Sequence, residues 1–77
     1  MEYNESFIKT CEKLGKRIQN LREEKQITIK EMSEQTGIRK EYLKKIEQGK
    51  AYGVALDKHL IKIANVLQIK MSVLLDL

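Results

Sequence analysis

Five positively charged side chains between positions 38 and 50 are the part of this 77-residue sequence best suited to binding chemistry. With two carboxylates in the same stretch, they leave a local net charge of +3 in a chain whose total is +4. Guanidinium and ammonium groups bind phosphates and hydrogen-bond base edges, so the stretch favours a polyanionic partner. A solvated helix surface rich in lysine is the alternative explanation. The charged residues are Arg39, Lys40, Lys44, Lys45 and Lys50, with Glu41 and Glu47.

Other kinds of site have little support in the sequence. A single cysteine, Cys11, rules out an intramolecular disulfide, and one cysteine with one histidine, His59, rules out a structural zinc site. We find no pattern of nucleophile and base, no carboxylate pair and no phosphate-binding glycine loop. We therefore expect no enzyme activity, no cofactor and no metal.

The composition predicts a small helical protein. The chain is 42% hydrophobic and 34% charged, which is typical of a folded domain, and it contains no proline. No apolar run is long enough to cross a bilayer, and the first residues do not resemble a signal peptide. We expect a protein of the cytoplasm without a membrane partner.

Helical periodicity extends over nearly the whole chain. The first helix ends near Lys25, and Gly15 inside it predicts a kink or a junction. Thr28 and Glu31 form a capping-box pattern that starts a second helix over residues 29–36. Apolar residues spaced at three and four positions define the first helix: Phe7, Cys11, Leu14, Ile18 and Leu21.

Glycines punctuate the middle of the chain. Gly37 ends the second helix and Gly49 ends a third helix over about 39–48, because glycine tolerates the left-handed conformation that follows helices. A loop over residues 50–54 precedes a fourth helix from Leu56 to Val66 or Leu67, and residues 71–75 form a short fifth helix. The predicted fold is all-α, a compact bundle of five helices without strands.

Four segments of the sequence share a characteristic order and spacing: Leu14 to Arg22, Met32 to Ile38, Tyr42 to Gly49 and Leu60 to Ala64. Together they resemble the lambda-repressor/Cro-like helix-turn-helix family, also called the Xre family. The resemblance implies a five-helix DNA-binding domain over residues 14–77, preceded by an N-terminal extension over 1–13 that continues helix 1. It also implies a homodimer that binds a pseudo-palindromic site in double-stranded DNA.

The resemblance assigns roles to individual residues. Base-reading positions correspond to Arg39, Lys40, Glu41 and Lys44, although Glu41 is equally explained as an anion in the first turn of a helix. Arg22 and Glu47 match a structural salt bridge. Phosphate contacts correspond to Thr28, Ile29, Lys30, Lys45, Gln48, Lys50 and Tyr52. For Tyr52, packing over the core is the alternative to a phosphate contact.

Two departures from the family pattern concern the second helix. Ile29 stands where a DNA-contacting glutamine is usual, which removes one expected hydrogen bond. Ser33 stands where a buried alanine is common, so its hydroxyl needs an acceptor, for which we expect a backbone carbonyl one turn earlier.

Both ends of the chain are apolar. Phe7 and Ile8 are expected to cover helix 5 or to pack against a second subunit. At the other end, Val73, Leu74 and Leu77 predict a two-fold dimer interface. The alternative there is that Leu74 and Leu75 cap the core of one subunit.

The predicted function is that of a sequence-specific transcriptional regulator, with repression as the expected mode and the nucleoid as its location when bound. The alternative is an antitoxin or another protein-interaction module, with a toxin as partner and DNA binding secondary. Ile29 and the apolar ends favour that alternative.

Overall fold

Five α-helices form the part of the chain that the structure, a computed structural model, describes: residues 3–52 and 56–77. The helices are α1 (Glu5–Glu24), α2 (Ile29–Thr36), α3 (Lys40–Glu47), α4 (Leu56–Leu67) and α5 (Met71–Leu74). The predicted all-α fold is confirmed, and no strand occurs within these ranges. Residues 53 and 54 of the predicted loop, and the side chain of Leu56, lie outside the described part.

Helix α1 is one continuous helix from Glu5 to Glu24, so Gly15, where a kink or a junction was predicted, does not interrupt it. Glycine is needed there for a different reason, which is the close approach of another helix. A Cβ built on Gly15 would lie 2.6 Å from the carbonyl oxygen of Glu47, near the end of α3. The backbone of α3 therefore rests directly on α1.

The turn between α2 and α3 is held by short-range hydrogen bonds. Gly37 adopts a left-handed φ of 76°, as predicted for the end of α2. The Thr36 hydroxyl donates to the carbonyl of Met32 (2.7 Å) and accepts from the N–H of Ile38 (3.1 Å). Ser33 donates to the carbonyl of Ile38, so its acceptor lies across the turn rather than one turn earlier. Together these bonds set the angle between the two helices.

The core fills the space between the helices and leaves one face of α3 in solvent. Helix α1 packs on α3 and α5, α2 packs on α3 and α4, and α4 packs on α5. Helix α3 is thereby anchored through its inner face alone. The buried apolar core consists of Leu14, Ile18, Met32, Ile38, Leu43, Ile46, Ala51, Leu60, Ile63, Ala64, Leu67 and Leu74.

Helix α5 corrects one part of the predicted dimer interface. Leu74 is completely buried in the core of its own subunit and is not available to a partner. Val73 and Leu77 remain exposed by 41% and 47%, and Leu75, which the alternative placed in the core, is exposed by 47%. The reason is helical geometry, since a helix of one turn can direct only one of these neighbours inward. Arg17 of α1 fastens α5 by donating to the carbonyl of Val73 (3.0 and 2.8 Å).

Candidate nucleic-acid interface

The outer face of α3 presents all four residues that the sequence suggested for base reading. Arg39, Lys40, Glu41 and Lys44 are exposed. Their exposure follows from the inward direction of Leu43 and Ile46, which are buried on the opposite side of the same helix. These four side chains are free to reach a groove of DNA.

The N-terminus of α3 is not satisfied by its own chain. Arg39 occupies the N-cap position and makes no side-chain hydrogen bond to the first turn. Cations at this end oppose the positive pole of the helix dipole, so Arg39 and Lys40 destabilise the isolated helix. In the described ranges, neither of them takes part in an ion pair. An anion placed at this end would replace the missing capping bond and would balance the charge of the two cations.

The C-terminal end of α3 is held by a buried ion pair between Arg22 and Glu47. The guanidinium Nε donates to Oε2 of Glu47 at 2.7 Å and Nη2 donates to Oε1 at 3.0 Å. The third contact runs from Nη1 to the carbonyl of Ile27 at 2.8 Å. Only 10% and 8% of the two side chains are exposed. The salt bridge that the family resemblance implied is thus present in the structure, where it takes a bidentate form.

Two consequences follow from this ion pair. Hydrogen bonding to Glu47 raises the pKa of Arg22, and burial only partly opposes that rise, so the guanidinium stays charged. The charge of the Glu47 carboxylate is compensated by the paired Arg22, which weakens its repulsion of a phosphate at the surface. The charge available to a ligand on α3 is therefore more positive than the residue count suggests.

The start of α2 differs from the start of α3 because a complete capping box occupies it. The Thr28 hydroxyl accepts from the N–H of Glu31 at 3.0 Å, and Oε1 of Glu31 accepts from the N–H of Thr28 at 2.9 Å. The second bond lowers the pKa of Glu31, since it favours the ionised carboxylate. The Thr28 hydroxyl thereby accepts one bond from the helix cap, and its proton can still donate to an acceptor outside the helix.

The neighbouring positions 29 and 30 serve different purposes. The side chain of Ile29 is half-buried and packs against the core, which explains how an apolar residue fits where the family usually has glutamine. Lys30 is exposed. A phosphate contact at Ile29 can therefore come only from its backbone N–H, whereas Lys30 also offers its ammonium group.

Two residues near α3 were not identified from the sequence. Gln19 of α1 lines a shallow recess of about 190 Å³ with Lys44, Glu47 and Gln48. His59 of α4 packs edge-on against Tyr42, with ring centroids 4.9 Å apart. Helical periodicity predicts neither of these contacts. The recess at Gln19 depends on the packing of α1 on α3, and the contact of His59 with Tyr42 depends on α4 lying beside α3.

The last turn of α3 and the segment after it bring the remaining phosphate candidates to the surface. Lys45, Gln48 and Lys50 are all exposed. The N–H of Lys50 donates to the carbonyl of Lys45 at 2.8 Å, which closes the end of α3. Tyr52 is half-buried, and its ring packs on Tyr3 and Phe7 from the start of the chain. Packing was the alternative considered for Tyr52, but its contacts belong to the N-terminal extension.

The one thiol of the described chain is buried and is not presented at this surface. Cys11 lies buried on the inner face of α1, and burial raises its pKa. A raised pKa keeps a thiol protonated and poorly nucleophilic. Cys11 is therefore part of the packing of α1.

Comparison with known protein families identifies the fold and its class. Residues 15–76 match the family described as a helix-turn-helix domain, which covers more than half of the chain. The chain belongs to the helix-turn-helix domain family. It is accordingly a sequence-specific DNA-binding regulator, and α2 and α3 are its two motif helices.

A solved structure shows the same fold. The chain is similar to the restriction-modification controller protein C.AhdI from Aeromonas hydrophila, with a TM-score of 0.74 and 23% sequence identity. The match covers 83% of this chain and 94% of that protein. Among curated proteins, no sequence matches. None of the described helices is long and apolar enough to cross a membrane.

Proposed function

We propose that this protein is a dimeric repressor that inserts the N-terminus of α3 into the major groove of a pseudo-palindromic operator. The observation that carries this proposal is the uncapped, exposed and cationic start of α3. A guanine O6/N7 edge accepts from lysine or arginine, and cytosine N4 donates to a carboxylate. Lys40 and Arg39 are the proposed guanine readers, with Lys44 beside them and Glu41 as the acceptor.

Contacts to the DNA backbone are proposed on both sides of α3. At the start of α2 they involve the Thr28 hydroxyl, the N–H of Ile29 and Lys30. At the end of α3 and in the segment after it, they involve Lys45, Gln48, Lys50 and the Tyr52 hydroxyl. Such contacts set the register of the protein on DNA but do not read its sequence. They make the affinity depend strongly on salt, since each neutralised phosphate releases counterions.

A second subunit is proposed to bind the exposed apolar end of the chain. Val73 and Leu77 are the parts of the predicted interface that remain exposed, and Leu75 now joins them. A two-fold arrangement through this end would set two recognition helices about 34 Å apart, one turn of DNA. The likeness to a controller protein supports the proposal of a regulator, and repression would follow from occupation of a promoter.

Sedimentation of the free protein tests the dimer. Val73→Glu and Leu77→Glu should each weaken self-association, because a carboxylate would be buried in the apolar interface. Gln35→Glu, on the exposed face of α2 and away from α5, is the control that introduces the same charge elsewhere. A wild type that stays monomeric at high concentration would end the dimer proposal.

Selection of binding sites from random duplex DNA, repeated at two salt concentrations, tests the function as a whole. We expect a two-fold-symmetric consensus whose recovery persists at the higher salt concentration. A reporter gene placed behind that consensus then measures repression directly. Recovery of no consensus, with only salt-sensitive binding, would contradict specific readout and favour a role in protein interaction.

A further inference from the structure

The N-terminal extension contacts residues 49–52, the segment that follows α3. The family match begins at residue 15, so residues 3–13 lie outside it. In the structure residues 5–13 form the first part of α1, and Asn4 caps the helix by accepting from the N–H of Phe7 at 2.8 Å. This part of α1 meets residues 49–52 at two places.

The first contact joins backbone to backbone. Gly49 has a left-handed φ of 75°, and a Cβ built on it would lie 2.6 Å from Cα and 2.9 Å from N of Glu12. Such distances leave no room for any side chain at position 49. The turn that ends α3 therefore rests directly on the backbone of the extension.

The second contact is a cluster of three aromatic rings. The ring of Tyr52 lies 5.0 Å from that of Tyr3 and 6.0 Å from that of Phe7, measured between centroids, and Tyr3 and Phe7 stack at 5.0 Å. Rings at these distances attract each other beyond the effect of buried area alone. Residue 52 is thus tied to the first turn of α1.

Lys50 lies between these two contacts. Its side chain is exposed, and its N–H donates to the backbone carbonyl of Lys45 at 2.8 Å. The next residue, Ala51, is buried in the core. One cation is therefore displayed on a short segment that is held at positions 49, 51 and 52. A charge on such a segment loses less conformational entropy when it binds than one on a free loop.

We infer that the N-terminal extension is a positioning element for DNA binding, which holds Lys50 where it contacts a backbone phosphate. Phe7 and Tyr3 act through Tyr52 and do not themselves touch DNA. This inference rests on the proposed function, since it needs a phosphate at Lys50. It gives the residues before the family match a part in affinity.

A double-mutant cycle on the full chain tests the inference. Affinity for a selected operator is measured across a salt series for the wild type, Phe7→Ala, Lys50→Ala and the double variant. Lys50→Ala should reduce the slope of log affinity against log salt by about 1, because one phosphate contact is lost. Phe7→Ala should weaken binding about 2- to 10-fold and reduce the slope in the same direction, although it removes no charge. In the double variant, Phe7→Ala should add almost nothing to Lys50→Ala.

Controls separate positioning from general stability. Ser6→Ala changes an exposed, uncharged position of the same extension and should leave affinity and slope unchanged. Phe7→Tyr keeps the ring and should restore both. All affinities are measured well below each variant's melting temperature, with helix content checked by circular dichroism. If Phe7→Ala does not fold, Tyr3→Ala, which lies ahead of α1, carries the same cycle.

Each failure has its own signature. Losses for Phe7→Ala and Lys50→Ala that add independently would overturn the inference, as would a Phe7→Ala variant with a lower melting temperature but wild-type affinity and slope. A Lys50→Ala variant that binds like the wild type would also overturn it, because no contact would then need positioning. A wild type without any preferred DNA sequence would instead refute the proposed function.

Discussion

The two ends of α3, the proposed recognition helix, differ in whether the protein itself satisfies their charges and hydrogen bonds. At its C-terminal end, Glu47 is buried in a bidentate pair with Arg22, and the backbone rests on Gly15. At its N-terminal end, the N-cap residue Arg39 makes no capping bond and Lys40 is exposed. One end of the same eight-residue helix is satisfied within the protein and the other is left unsatisfied.

This contrast separates stability from binding within a single helix. A capping side chain at position 39 and fewer cations beside Glu41 would stabilise the start of α3, but they would occupy the donors and remove the charge that DNA needs. The destabilisation at that end is tolerated because the other end is anchored strongly. We expect substitutions at the C-terminal end to change mainly the free energy of unfolding, and substitutions at the N-terminal end to change mainly DNA affinity.

Glu47→Ala should give the largest effect, on stability. Removing one partner of a buried ion pair leaves Arg22 charged and unpaired, which costs about 3 to 5 kcal/mol. For a domain of this size the melting temperature should fall by more than about 10 °C. Thermal unfolding followed by circular dichroism measures the shift.

The matched control for that experiment is Glu34→Ala, which removes an exposed carboxylate from α2. Exposed positions of this kind change stability by less than about 0.5 kcal/mol. If Glu47→Ala unfolds at the wild-type temperature, the Arg22–Glu47 pair does not anchor α3 and the contrast between the two ends disappears.

Lys40→Ala should affect binding and spare the fold. Loss of a base contact should cost about 1 to 3 kcal/mol on the selected operator and relax one base position. Stability should be unchanged or slightly higher, because a cation is removed from the positive end of the helix dipole. Titration of operator variants measures the loss, and Lys62→Ala on the exposed face of α4 is the control. An equal loss on all sequences would show that Lys40 contacts phosphate only.

Arg39→Asn should move stability and affinity in opposite directions. Asparagine is a strong N-cap residue, so the variant should gain about 1 kcal/mol of stability while it loses a cation from the DNA-facing end. Arg39→Ala removes the same charge without supplying a cap and should lose affinity without that gain. Urea unfolding and operator binding are measured on both. An Arg39→Asn protein that binds as well as the wild type would show that this end is not reserved for DNA.

The smallest expected effect compares the start of α2 with that of α3. Because the pKa of Glu31 is lowered in the folded protein, its contribution to stability is present above its unfolded value of about 4.3 and is lost as the pH falls through the folded value. Glu31→Gln should therefore be less stable than the wild type near neutral pH, and the difference should shrink in acid. Urea unfolding between about pH 3 and pH 7 measures this difference. A constant difference would mean that the capping box does not depend on the charge.

Local patterns in the sequence were sufficient for most of the helices. The capping box at Thr28 begins α2 and the glycine at position 37 ends it, both as predicted, because each acts through bonds within a few residues. The ends of α1 and α4 also fall within a residue of the predicted positions, although no glycine marks them. There Gln26 and Gln68 adopt positive φ values of 57° and 58° without glycine to announce them. At the first of these turns, the bond from Arg22 to the carbonyl of Ile27 helps to hold the chain.

Spacing along the chain determined which residues of this protein lie on the exposed face of α3 and where its helices run, since periodicity and caps are local properties. Contacts between distant segments were decided only by the tertiary structure. Gly15 allows the close crossing of α1 and α3, Leu74 completes the core, and Tyr52 contacts the N-terminal extension. These outcomes depend on which helices pack together, because a side chain's partner is set by its neighbours in space and not by its neighbours in sequence.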